Sequence, residues 1–154
     1  MMTDLQKARM LIQDTDPTNQ IFTDEEINEV LTRKRQRKVL RAQRASVDGT
    51  VYVLPLELSR DGVDGTIYND DGEELTGTID YEKSEVTFDE NPGTDVYVDA
   101  EYILFRGVQG TLLEIIATDI RKWNTYSAGG LSETFSKQEL LNYARSMFPV
   151  TGAW

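Results

Sequence analysis

Apolar positions recur at helical spacing near both ends of this chain and alternate in its middle. Leu5, Ala8, Leu11 and Ile12 lie three and four apart, which predicts a helix over residues 3–13, with Thr3 and Gln6 at capping-box spacing. Pro17 and its polar neighbours end it. A second helix is expected to start at Thr23, where Thr23-x-x-Glu26 makes a capping box and Phe22 and Ile27 stand at the staple positions. Ile27, Val30 and Leu31 form its buried stripe. The basic run that follows continues this helix to residue 42 or 44.

The period then changes to two. Residues 50–58 (TVYVLPLEL) read as a strand, with Pro55 marking an edge or bend. Residues 65–68 and 73–76 flank Asp71-Gly72, a strong hairpin dipeptide. Residues 78–82 and 85–89 flank Lys83-Ser84, with Ile79 and Tyr81 answered by Val86 and Phe88. Asn91-Pro92-Gly93 turns the chain into 95–105 (DVYVDAEYILF), the longest strand signal. Strands are therefore expected between about 50 and 105.

Helical spacing returns after that. Leu112, Ile116, Ile120 and Trp123 form one stripe, which Leu113, Ile115 and Ala117 widen, predicting a central helix over 108–126. Ala128-Gly129-Gly130 breaks it. Ser136-x-x-Glu139 then repeats the capping box, Phe135 and Leu140 repeat the staple, and a last helix is expected over 136–147. The fold class read from this pattern is α+β. It comprises a helical bundle from the two terminal segments, 1–45 and 106–154, with a small antiparallel β-sheet or barrel, 46–105, inserted.

Charge adds a polarity to the picture. Arg33, Lys34, Arg35, Arg37, Lys38, Arg41 and Arg44 place seven of the 16 basic residues in one short run. Residues 45–101 carry sixteen acids against Arg60 and Lys83, so most of the surface repels a phosphate backbone. Arg33, Arg37 and Arg41 share one face at four-residue spacing if the run is helical. The bland reading is a solvated face; the functional ones are a contact with acids of a neighbouring subunit or partner and, after it, a stripe facing DNA. Cysteine and histidine are both absent, which removes disulfides, thiolate sites, Ser-His-Asp triads and the usual zinc ligands. No apolar stretch is long enough to span a membrane, and residues 1–14 are too mixed for a signal peptide.

Taken in order, MLIQDTDPTNQIFTDEEINEVL, then LLEIIATDIRKWNTYSAGGLS, then a short last helix resemble the head–tail connector (adaptor) proteins of tailed bacteriophages. The likeness covers residues 3–31 and 106–147, while DGEELTGTIDYEKSEVTFDENPG is similar to β modules of phage virion proteins. It implies a structural protein of the virion neck without catalytic activity, cofactor or metal, assembled in the host cytoplasm. The implied partners are further copies in a ring, typically a dodecamer, the portal protein, and a tail terminator or other neck protein. DNA would pass through the lumen without sequence-specific binding.

By composition alone, residues 127–135 are an ordinary surface connection. The resemblance makes them a contact with a neighbouring subunit or the portal. Gly129 and Gly130 would supply freedom, Trp123 and Tyr126 a rigid root, Leu131 and Phe135 apolar anchors, and Trp154 a tail contact. Two other functions fit the residue types. One is a small β binding module for glycan or calcium on a helical base. The other is a glycoside hydrolase using paired carboxylates. Asp14, Asp16 and Glu25 do stand at positions one, three and twelve of a calcium loop, but Pro17, Thr18 and Asn19 depart from its pattern.

Overall fold

In the computed structural model, which describes residues 2–62, 64–128 and 136–148, the basic run is a strand. The expected bundle with a small inserted sheet or barrel is thereby overturned. A six-stranded, curled antiparallel sheet occupies the middle of the chain, and the described residues form five helices. The strands are β1 (Arg35–Arg44), β2 (Val51–Val53), β3 (Thr66–Tyr68), β4 (Thr78–Asp80), β5 (Glu85–Thr87) and β6 (Val96–Ile103), in the order β3-β6-β1-β2-β5-β4. The helix expected over 23–42 stops at Lys34 because Arg35 to Ala42 pair residue by residue with Ile103 to Val96. Lys, Arg, Gln, Leu and Ala are good helix formers, but their propensity is a weak prior that eight strand pairings override.

Two compact units result, one holding residues 1–3 with Arg35–Ile103, the other Asp4–Lys34 with Leu104 onward. In the sheet unit β1 serves two partners. Its first eight residues pair with β6, and only Gln43 and Arg44 pair with β2. The inner face of β6 is Val96, Val98, Ala100 and Tyr102, all fully buried, and the outer face is Tyr97, Asp99 and Glu101. Ala42, Tyr52, Leu58, Ile67, Val86 and Phe88 complete this core, with the Tyr52 and Phe88 rings edge to face at 5.7 Å.

Both turns form where their residues predict, but the first closes only an isolated bridge between Tyr68 and Glu74, because residues 73–76 are not a strand and β3 pairs with β6. Gly72 has φ +81, and the side-chain oxygen of Asn69 accepts from the Asp71 and Glu73 amides. In the second hairpin the turn spans residues 81–84 rather than Lys83-Ser84 alone, so that Ile79 stands opposite Val86 while Tyr81 leaves the strand, and Asp80 accepts from the Glu82 and Lys83 amides.

The helical unit comprises α1 (Asp4–Leu11), α2 (Asp24–Lys34), α3 (Phe105–Thr118), α4 (Ile120–Ala128) and α5 (Lys137–Ser146). The helix expected over 108–126 is two helices, because Asp119 adopts an extended conformation. Its side chain then accepts from the Arg121 and Lys122 amides, which starts α4 afresh. At α2 the capping box closes in both directions, Glu26 N–H to Thr23 Oγ1 at 3.2 Å and Thr23 N–H to Glu26 Oε1 at 3.0 Å. Ser136 caps α5 in the same way, accepting from the Glu139 amide. Gly110 on α3 lets the α5 backbone come close, since a Cβ there would lie 2.8 Å from the Ala144 carbonyl oxygen.

The break between α1 and α2 is ordered around one carboxylate. Asp14 accepts from the Ile21 and Phe22 amides and pairs with Arg9 Nη1 at 2.8 Å. The second terminal nitrogen of Arg9 donates to the Phe22 carbonyl and to Asp24. Loop, helix and cation are thus held by a single buried cluster.

Candidate functional site

Strand geometry rearranges the basic residues that the sequence grouped. Arg33 ends α2 in the helical unit, whereas Arg37 and Arg41 lie on β1 in the sheet unit. They do not form one helical stripe. Arg37 and Arg41 still share a face, because positions four apart on a strand point the same way, about 13 Å apart along it. Between them Val39 is 59% exposed.

That face already contains acids. Arg37 Nε lies 3.0 Å from Asp99, and Arg41 Nη2 lies 3.0 Å from Asp95, each pair running diagonally between β1 and β6. The acids that meet Arg37 and Arg41 are thus Asp99 and Asp95 of the same sheet unit, where the basic run leads one to expect acids of another subunit. A signal was present in the alternating acids Asp95, Asp99 and Glu101, since Arg37 and Arg41 stand opposite Glu101 and Tyr97 and reach Asp99 and Asp95 diagonally. Both pairs are largely exposed, so each contributes at most about 1 kcal/mol.

Where β1 leaves β6 for β2, the strands splay and open a cleft of about 860 Å³. Arg41, Arg44, Tyr52, Asp70, Asn91 and Asp95 are among the residues that line it.

On the helical unit, Trp123 and Tyr126 lie one turn apart on α4, with ring centroids 5.7 Å apart. Tyr126 is buried, and desolvation pushes its phenol above the ordinary tyrosine value. Lys122 ties α4 down by donating to the Ile21 carbonyl and to Glu26, and its ammonium sits 4.5 Å from the centre of the Phe22 ring. Gly129, Gly130, Leu131, Phe135 and Trp154 lie outside the described residues.

The remaining candidate chemistries meet specific geometry. Asp14 is engaged by Arg9 and two loop amides, and Asp16 accepts from the Thr18 amide and hydroxyl. Among the described residues no group of three acids is placed to hold a metal. Asp16, Glu26 and Asp48 are held below the usual carboxylate range by hydrogen bonds from Thr18, from Thr23 and from Ser46. A general acid needs the opposite displacement.

The Glu26 shift gives a pH prediction. Its amide bond from Thr23, then its contact with Lys122, lowers the folded pKa. A lowered pKa contributes stability at pH above the ordinary glutamate value, and the contribution is lost as pH falls through the folded value. Glu26→Gln is therefore expected to be less stable than the parent at neutral pH, with the gap closing in acid. Urea unfolding across a pH series measures this, and a gap independent of pH would refute it.

Comparison of the chain with protein-family models, with curated proteins and with solved structures gives no match. Among the described residues no helix is long and apolar enough to cross a membrane.

Proposed function

We propose that this protein is a structural component of a phage neck, a head–tail connector that assembles with copies of itself below a portal. The reading rests on the sequence likeness at residues 3–31 and 106–147. One observation supports it most: from residue 4 onward those two stretches, far apart in the chain, belong to one compact helical unit. The anchoring of α4 through Lys122 agrees with the rigid root at Trp123 and Tyr126 that the resemblance implies. Under this reading the protein is not an enzyme, its partners are the portal and a tail-side neck protein, and DNA passes it without sequence readout. The acidic composition agrees with that last point, because a net charge of −11 disfavours duplex binding.

Electron microscopy of the purified protein, alone and mixed with portal-bearing heads, tests the proposal. Rings of uniform diameter, or density added below the portal, are expected. A monomer at all concentrations that also leaves the heads undecorated would reject it. The cleft between β1 and β6 favours a second reading, a β module that binds a saccharide. Saturable binding of a glycan by the monomer, lost in Asp70→Ala, would select that reading instead.

A further inference from the structure

We propose that the outer rim of β1 at residues 37–41 is a docking edge, where an extended acidic segment of another polypeptide adds to the sheet as a further strand. The inference does not depend on ring formation.

Backbone phase comes first. Ala45 N–H donates to the Val51 carbonyl and Gln43 stands opposite Val53, so odd-numbered residues of β1 turn their N–H and C=O toward the side of β2. Even-numbered residues turn theirs toward β6. Continuing the β1–β2 register would place Pro55 opposite Arg41. Proline has no N–H to give, and the chain bends there, so the ladder ends. Residues 57–59 then cross to the far side of β6, where Ile103 N–H donates to the Glu57 carbonyl and Ser59 N–H to the Glu101 carbonyl. Among the described residues no strand pairs the rim of Arg37, Val39 and Arg41. Their side chains are exposed too, Arg41 by 63%.

Side chains determine what can add. A strand laid along this rim would face Arg37, Val39 and Arg41 as its cross-strand neighbours. Each guanidinium spends one nitrogen on its aspartate and has further N–H donors on its exposed side. The inner neighbour shows what fits, since β6 sets Glu101, Asp99 and Tyr97 opposite Arg37, Val39 and Arg41, and the two guanidinium groups pair with Asp99 and with Asp95 just before the strand. Charged residues on an edge usually prevent strand addition by stranding a charge. Here they reject basic strands and accept acidic ones, so the rim is selective rather than closed. The matching pattern is Glu-x-Val-x-Glu, which reads the same in both strand directions.

The probe is the blocked peptide Thr-Glu-Thr-Val-Thr-Glu-Thr, with amide exchange of the full-length protein followed by NMR. Addition is expected to slow exchange at Arg37, Val39 and Arg41 at least tenfold at saturation. A peptide with both Glu replaced by Lys should bind at least tenfold more weakly. So should one N-methylated at its central valine, which keeps the charges and removes a ladder donor. Val39→Pro should abolish binding while leaving thermal unfolding little changed, because the Val39 N–H faces away from β6. The N-methyl peptide keeps the test valid if that variant misfolds. Four results would overturn the proposal: no slowing at millimolar peptide, or full retention of binding by the N-methyl peptide; slow exchange already in dilute protein, meaning the chain covers its own rim; or slowing with protein concentration alone, meaning a second copy is the occupant.

Discussion

Asp14→Ala is expected to remove about 3–5 kcal/mol of folding stability, the range for breaking a buried ion pair from one side. The side chain of Asp14 is 1% exposed and that of Arg9 10%, so neither charge has water to fall back on. Alanine would strand the guanidinium beside one remaining acid, Asp24, which is itself mostly in solvent. It would also leave the Ile21 and Phe22 amides without their acceptor, and an unsatisfied buried donor costs about 1–3 kcal/mol. Asp14→Asn should be milder, because its carbonyl oxygen can still serve one amide. Urea unfolding followed at a helical wavelength measures both variants. A loss below about 1 kcal/mol for Asp14→Ala would show that this cluster does not organise the break between α1 and α2.

Tyr102→Ala should damage the sheet unit as severely, by about 3–5 kcal/mol, the range for deleting a large buried aromatic. Tyr102 is fully buried on β6, and its hydroxyl donates to the Val98 carbonyl at 2.9 Å. Burial raises its phenol far above the ordinary value, so it remains a neutral donor at any pH where the protein is studied. Tyr102→Phe separates ring from hydroxyl. Since Val98 lies in a strand with a ladder partner, Leu40, losing the hydroxyl alone should cost about 0.5–1.5 kcal/mol. Denaturant titration of the two variants checks the ratio. Equal losses would place the stabilisation in the hydrogen bond rather than in the packing.

Much of this fold could be read from residue pattern because the signals were local. The Thr23 and Ser136 boxes, the Asn69–Gly72 turn and the 78–89 hairpin each depend on residues within a few positions of one another. β1 could not be read that way. Its inward residues, Gln36, Lys38, Leu40 and Ala42, include only two apolar side chains, so alternation is faint while helix propensity is high. What makes it a strand is β6, whose Val96, Val98, Ala100 and Tyr102 alternate plainly but lie far along the chain. Asp119 was missed for a related reason, since apolar spacing runs through it without a Gly or Pro to mark the break. At the candidate site, sequence grouped Arg33 with Arg37 and Arg41 by spacing, and the change from helix to strand separates them. Asp14 was noted as a possible ion ligand; the cation it meets is Arg9, on the helix before it, which no motif announces.

Pairing over such a distance also fixes an order of events during synthesis. Arg41 and Asp95 are 54 positions apart, so β1 leaves the ribosome well before its main partner exists. Closing so long a loop is slow compared with forming the 78–89 hairpin, which needs only neighbours. During that interval the residues of β1 favour local helix over strand, and their dense positive charge keeps nascent copies apart. The same ten residues that obscure the strand in the sequence are therefore ones whose partners, β6 with Asp95 and Asp99, are synthesised long after them.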